Sequence, residues 1–360
     1  MENINVENLD KIEKFVNDYL REVKEKYYEE SPVVRDKIDH ITRVTEIAKK
    51  KAEESILGIK KNILRNEEVF SMFEEMRKEG ELSQESLERL TAKAKKTKEW
   101  LELELRRKEV EVRMTVLAAK MHDIGRFTQY ELLGQFDDGK VLHHYLGEDF
   151  IARAIYQGKL EPSEELDALR TVAKYHGREK FFPFKENIPD GAKELVDIVG
   201  RVDGIENGCI GAVGYLVREA KTDAKSYKKN NPELDMKSVS PEVLEFFKKG
   251  EKFDKMKYCK TYADYTLFAA VLAIQALKGK DREIALDAMK NYKCIRTVKD
   301  KDGKEEVIEY ENAIKGYEDI FGELINPKDK EIAIKVLKGF YENKDYVYSE
   351  EEPEDHDGRG

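Results

Sequence analysis

The chain has 360 residues, enough for one large domain or two ordinary ones, and 39% of them are charged, with a formal net charge of −10. This charge argues against non-specific binding to nucleic acid, which requires a basic surface. No stretch approaches the roughly 18 apolar residues of a membrane span, and the first residues contain no apolar signal core, so we expect a cytoplasmic protein without a membrane partner. Three separated cysteines predict reduced core thiols rather than disulfides.

Two amphipathic helices are predicted at the start of the chain. Apolar residues recur at helical spacing over 8–29. Pro32, within ESPVV at 30–34, ends this helix because the residue before a proline is displaced from α geometry. The second helix then carries an apolar face formed by Ile38, Ile41, Val44 and Ile47.

Residues 58–110 consist almost entirely of Glu, Lys, Arg and Leu. The segment KEGELSQES at 78–86 interrupts them, with Gly80 as a C-terminal stop and Ser83 as an N-cap. We predict two long antiparallel helices that form a charged hairpin. We interpret it as a solvated structural arm; the alternative is an arm that binds a partner or forms a homo-oligomer.

The rest of the chain is predicted to be helical with one exception. Residues 110–330 alternate helical patterns with polar breaks. Within them, 293–310 shows β-branched alternation around Asp302-Gly303, which predicts one small β-hairpin in an otherwise all-α fold. The acidic, unpatterned residues 346–360 are predicted to form a disordered tail.

Histidines and aspartates at the ends of helical patterns suggest a polar site. His122 and Asp123 are adjacent, so on a helix they point about 100° apart and could hold one ion from two directions. Asp203 closes an apolar run, where burial of its charge requires a compensating cation.

The order His40, His122-Asp123, Asp203 resembles the H…HD…D signature of the HD-domain metal-dependent phosphohydrolase superfamily. Five segments resemble its ligand-bearing helices in order, the second in the HDIGRF-type subgroup: IDHITRVTEIAKK, MHDIGRFTQ, VLHHYLGEDFI, AKYHGREK and VGRVDG. The resemblance covers roughly residues 35–55 and 112–275.

The fold that this resemblance implies is a single HD-type helical bundle over residues 1–345. The charged hairpin at 58–110 would be an insertion between the first two ligand motifs, and 205–345 would be the C-terminal part of the same domain.

The resemblance also implies a site for one or two divalent transition-metal ions, among Fe, Mn, Co, Ni and Zn, which accept mixed nitrogen and oxygen ligands. Its ligands would be His40, His122, Asp123, His143, His176 and Asp203, with Asp123 bridging two ions. His143 and His144 compete for one ligand position. We assign it to His143, four residues before Gly147, and place His144 near the substrate or behind the ligands.

The implied reaction is hydrolysis of a phosphomonoester or phosphodiester, of a nucleotide or related metabolite, by hydroxide generated at the metal. Asp123, Arg126 and His144 are the candidate catalytic residues, with Arg126 stabilising the phosphoryl charge. Gly125 fits either a close backbone approach or a helix end. Cations around the fourth motif are candidates for substrate binding: Lys174, Arg178 and Lys180.

Two other functions share these ligands. The same ligand order resembles the HD-fold di-iron oxygenases, and a non-catalytic HD scaffold acting through the arm is a third hypothesis, against which the complete ligand set argues. A single histidine, His176, precedes Gly177 in the fourth motif, where the cyclic dinucleotide phosphodiesterase branch normally has a pair. This difference argues against that branch.

Overall fold

A computed structural model of the chain describes residues 5–136, 142–176, 188, 190–249, 258–275, 277–299 and 305–342. These ranges are almost wholly α-helical and contain one two-stranded sheet, which confirms the predicted all-α class. No helix in these ranges is long and apolar enough to cross a membrane. The chain divides into two compact units, 1–204 and 205–360, and each is described by itself. The single domain predicted over 1–345 stays a prediction.

Several predictions fall outside the described ranges. They concern the acidic tail at 346–360, the turn at Asp302-Gly303, and the candidate substrate-binding residues Arg178 and Lys180.

The described part of the first unit contains seven helices: α1 (Val6–Tyr27), α2 (Pro32–Lys78), α3 (Gln84–Met121), α4 (Ile124–Leu133), α5 (His143–Tyr156), α6 (Glu164–Tyr175) and α7 (Asp190–Glu206). The predicted break between the first two is confirmed. The Ser31 hydroxyl accepts a hydrogen bond from the Val34 N–H at 3.3 Å, and Pro32 occupies the first turn, where its missing N–H costs no helical hydrogen bond.

The second and third helices form the predicted hairpin. After α2 ends, Gly80 adopts a φ of +77°, and the Ser83 hydroxyl caps α3 by accepting a hydrogen bond from the Ser86 N–H at 3.2 Å. Between the two helices, Lys98 Nζ lies 2.7 Å from a carboxylate oxygen of Glu67. That the hairpin is an insertion, or an arm for oligomerisation, stays a prediction.

The base of this hairpin lies in the core of the first unit. The apolar face predicted for α2 is buried, and so is most of the last two turns of α3 from Met114 to Met121. Helix α1 packs on both α2 and α3, while α4 packs on α5. This packing places the C-terminal end of α3 and the N-terminal part of α2 side by side, and both segments carry predicted ligands.

The second unit begins with a short π-helix at Asn207–Gly211. Its further helices are α8 (Ala212–Asp223), α9 (Lys225–Asn230), α10 (Pro241–Lys249), α11 (Tyr262–Gln275), α12 (Gly279–Asn291), α13 (Ala313–Leu324) and α14 (Pro327–Glu342). The predicted strand pair is present as antiparallel β1 (Cys294–Lys299) and β2 (Glu305–Tyr310), with Cys294 opposite Tyr310. Cys209, Cys259 and Cys294 are buried thiols, as predicted.

Candidate metal centre

Helix ends and helix faces of the first unit bring the six predicted ligand residues together. They come from α2, the junction between α3 and α4, the start of α5, the end of α6 and the last part of α7: His40, His122, Asp123, His143, His176 and Asp203. The five residues other than Asp203 are all less than 9% exposed, and the Asp203 side chain is 15% exposed. The packing of the helices therefore brings together residues that lie up to 163 positions apart in the sequence.

One group of donor atoms surrounds a single point between α2, α3 and α7. The Nε2 atoms of His40 and His122 lie 3.2 Å apart, and they lie 3.1 and 3.5 Å from Asp203 Oδ1. Both are also 3.6 Å from Asp123 Oδ2. Donors on one first-row metal ion, at roughly 2.1 Å from it, are roughly 3.0 Å apart at adjacent octahedral positions and roughly 3.4 Å apart in a tetrahedron. The separations of 3.1–3.6 Å lie within about 0.2 Å of this range, so this group could hold a metal ion.

A hydrogen bond to the backbone fixes which ring nitrogen of His122 faces the other donor atoms. His122 Nδ1 is 2.6 Å from the Ala119 carbonyl oxygen, which can only accept, so Nδ1 carries the proton. The Nε2 atom of a neutral His122 ring then presents its lone pair to the other donors. Lone pairs that converge with two carboxylates repel one another unless a cation lies among them. This arrangement is that of a histidine ligand supported by a backbone carbonyl.

A second group of donors faces the other oxygen of the same carboxylate. Asp123 Oδ1 lies 3.2 Å from His143 Nε2 and 3.3 Å from His176 Nε2. His176 Nδ1 points at the carbonyl oxygens of Val172 and Ala173, at 3.2 and 3.1 Å, so its Nε2 is again the inward lone pair. Asp123 therefore stands between two sets of imidazoles and can bridge two ions, one on each oxygen.

His144 contacts the two histidines of the second group. Its Nε2 lies 3.2 Å from the carbonyl oxygen of His176 and therefore donates a hydrogen bond to it. Its ring centroid lies 3.7 Å from that of His143 and 4.6 Å from that of His176, onto which it stacks. The contacts of His144 thus hold its two neighbours, whereas His143 directs Nε2 at the bridging carboxylate.

Two cations flank Asp123, one at each oxygen. Lys37 Nζ lies 2.8 Å from Oδ2, and Arg126 Nε lies 3.7 Å from Oδ1. The side chain of Lys37 is 17% exposed and that of Arg126 is 14% exposed, so both lie at the edge of the buried cluster. Arg126 also donates to Gln129 Oε1 at 3.3 Å, which gives the glutamine after the HDIGRF motif a structural role. Gln129 is completely buried.

The charges of the cluster are set by burial and by these neighbours. Burial would raise the pKa of Asp123, but Lys37 and the surrounding imidazoles hold it well below its usual range. Burial likewise opposes ionisation of Asp203, yet hydrogen bonds with His122 and His40 hold its pKa well below the usual range. Burial lowers the pKa of His143 to about 4, against the attraction of Asp123. At neutral pH the site therefore presents two carboxylates and a neutral His143, which is the protonation state that metal binding requires.

The lysine that sequence reasoning missed is Lys37. It stands three residues before His40, so both project from the same face of α2, and this spacing is the signal that identifies it. Lys174, which the sequence proposed for substrate binding, lies 2.9 and 3.1 Å from the two oxygens of Glu148. Its ammonium also lies over the ring of Tyr145. A phosphate at Lys174 would have to compete with that carboxylate.

A glycine contact sets the distance between α4 and α5. A Cβ atom on Gly125 would lie 2.0 Å from the His143 carbonyl oxygen and 2.4 Å from the Gly147 nitrogen. Gly125 therefore fills both of the roles open to it, because it lies in the first turn of α4 and allows the backbone of α5 to approach closely. Because α5 begins at His143, this contact also fixes the start of the helix that carries one histidine of the second group.

The chain was compared with family models, curated proteins and solved structures. No family model, curated protein or solved structure matches the chain.

Proposed function

We propose that the chain is an HD-domain metal-dependent phosphohydrolase that cleaves a phosphomonoester or phosphodiester bond, of a nucleotide or a related metabolite. The observation that carries the proposal is the convergence of His40, His122, Asp123 and Asp203 on one point, at separations of 3.1–3.6 Å. Those donors would hold a first ion among Fe, Mn, Co, Ni and Zn. His143 and His176 would hold a second, with Asp123 shared.

When bound, such ions supply a water molecule of lowered pKa and positive charge for a phosphoryl oxygen. The protein's own residues prepare the site for this chemistry. Asp123 is held at both oxygens, so its plane is fixed relative to both donor groups. His122 and His176 are held by backbone carbonyls with Nε2 inward. His144 enters the proposal as a residue that positions His143 and His176.

The charge of the site favours an anionic substrate. The two carboxylates, Asp123 and Asp203, are balanced by Lys37 and Arg126, so these four side chains sum to zero when the imidazoles are neutral. Each divalent ion then adds two positive charges that no side chain of this set neutralises. A phosphate ester carries negative charge at neutral pH, so its binding offsets this excess. A neutral polyol carries no charge and would not offset this excess.

The proposal is tested by elemental analysis of the purified protein together with a phosphate-release screen over nucleotides and sugar phosphates. We expect bound transition metal and release of phosphate from at least one class. Asp203→Asn keeps the size of the side chain but removes its charge. We expect this variant to bind Mn²⁺ more weakly by at least about 100-fold, since losing even an outer-shell partner costs about 10- to 100-fold. Full metal content in this variant would contradict the site.

An HD-fold di-iron oxygenase is the rival, because it uses the same six ligands. A shared carboxylate with two imidazoles on one oxygen and two on the other also suits a pair of iron ions. Oxygen consumption by the iron-loaded protein, with no phosphate release in the screen, would favour the oxygenase over the phosphohydrolase.

A further inference from the structure

Among the residues that the structure describes, Lys37 is the one ammonium that contacts Asp123. It lies on α2, one turn before His40, and its Nζ is 2.8 Å from Asp123 Oδ2. Within the described ranges, Asp123 is the one ion-pair or hydrogen-bond partner of Lys37. An ammonium has three N–H donors, so two remain beyond the one given to Asp123.

Lys37 and Arg126 lie at the two different oxygens of the Asp123 carboxylate. Oδ2 faces His40 and His122 and is held by Lys37, whereas Oδ1 faces the second pair of imidazoles and lies near Arg126. Each oxygen thus has its metal-facing imidazoles and its own cation. Both cationic side chains are largely buried but reach solvent, so a ligand that enters the site meets them beside the donor atoms.

The charges of Lys37 and Arg126 are balanced by those of Asp123 and Asp203 only while no metal ion is bound. Bound metal ions would neutralise the Asp123 carboxylate. The positive charges of Lys37 and Arg126 would then be offset less completely by negative charge. A small oxyanion can restore the balance, because its several oxygens accept from both cations at once.

We propose that Lys37 is a substrate-binding residue that forms a clamp with Arg126 and holds the anionic oxygens of a tetrahedral phosphoryl group beside Asp123. This inference rests on the proposed phosphohydrolase function and adds to it the residue that recognises the substrate's charge. Lys37 thereby takes the role that sequence reasoning gave to the lysines and the arginine near His176.

The test compares Lys37→Met and Lys37→Gln with the wild type in two titrations, Mn²⁺ into the metal-free protein and inorganic phosphate into the Mn²⁺-loaded protein. The glutamine amide can still donate to Asp123 but carries no charge. Lys49→Met is the matched control, because Lys49 lies on the same helix, is exposed and pairs with Glu53 at 3.8 Å. Circular dichroism checks that each variant is folded.

We expect both Lys37 variants to bind inorganic phosphate about 10- to 100-fold more weakly, the usual loss for one charge-assisted hydrogen bond. Mn²⁺ should bind as tightly as in the wild type or more tightly, because a positive charge near the ion is gone. Lys49→Met should change neither affinity. Unchanged phosphate affinity in the Lys37 variants would overturn the inference. So would loss of Mn²⁺ from both variants, which would show that Lys37 only positions Asp123.

The wild type separates this inference from the function on which it rests. If the wild type itself bound no Mn²⁺, the proposed metal-dependent activity would fail first. If the wild type bound Mn²⁺ and phosphate, and Lys37→Gln did so equally, only the role of Lys37 would be wrong.

Discussion

Substitution of Gly125 by alanine places a methyl group against the backbone of α5. The added Cβ would lie 2.0 Å from the His143 carbonyl oxygen, 2.4 Å from the Gly147 nitrogen and 3.0 Å from the Gly147 Cα. All three are backbone atoms, so no side chain can rotate to make room. Ordinary contact requires about 3.4 Å or more, so α4 and α5 must separate by at least about 1 Å.

The cost follows from this displacement. Overpacking in a core usually costs about 1–3 kcal/mol, and alanine regains about 1 kcal/mol of helix propensity over glycine. Because the clash at Gly125 involves rigid backbone, we expect a net loss of about 2 kcal/mol of unfolding free energy. In a unit of about 200 residues this lowers Tm by about 4–8 °C. The same shift moves His143 Nε2 from its position 3.2 Å from Asp123 Oδ1.

Thermal unfolding and Mn²⁺ titration of Gly125→Ala measure the two effects separately. We expect a lower Tm and loss of the weaker of two Mn²⁺ equivalents, with binding at the His40 and His122 group retained. Gly58→Ala is the matched control: Gly58 lies within α2, a Cβ there meets nothing within 4 Å, and we expect a gain of about 0.5–1 kcal/mol. Wild-type stability and full Mn²⁺ stoichiometry in Gly125→Ala would refute the reasoning.

Two further predictions concern pH and the hairpin. Burial lowers the pKa of His143 from 6.5 to about 4, so the unfolded chain binds this proton more readily than the folded one. The metal-free protein should therefore be most stable above pH 6.5 and lose about 3 kcal/mol as the pH falls to about 4, measured by urea unfolding. His143→Gln should flatten this dependence, and an unchanged slope would show that another group causes it. Replacing residues 60–108 by a short linker should leave Mn²⁺ affinity unchanged, because no metal ligand lies in that range; loss of soluble protein would mean that the hairpin is part of the core.

Residues that favour the beginning or the end of a helix made much of the helical fold predictable. Pro32, Gly80 and Ser83 act through their own backbone preferences, which do not depend on distant partners, and each occupies the helix end that the sequence indicated. The strand pair at 293–310 was predictable for a similar reason, because period-two alternation is a local property. The pairing of α4 with α5 through Gly125 was left open, since a glycine serves both a helix end and a close contact.

The charged residues of the site were harder to predict. Lysine and arginine together number 65, and most of their side chains are solvated, so residue type alone does not single one out. Lys37 matters because Asp123, 86 residues away in sequence, is placed beside it by the packing of α2 on α3. The ion pair of Lys174 was unpredictable for the same reason: Glu148 lies on α5, and only tertiary structure brings the two together. The role of Lys174 in substrate binding stays a prediction.

Both helices of the hairpin carry or adjoin residues of the candidate metal centre. His40 lies near the start of the unbroken helix that runs to Lys78, about 57 Å away along its axis, and His122 directly follows the helix that returns. Side-chain donors lie about 5–6 Å from a helix axis, so a rigid tilt moves a root donor about a tenth as far as the distal turn. A tilt of α2 relative to α3 that displaced the distal end of α2 by about 5 Å would thus shift His40 relative to His122 by about 0.5 Å. Any molecule that changed how the two helices pack at the distal turn would therefore alter, on a scale about a tenth as large, the distance between two candidate metal ligands.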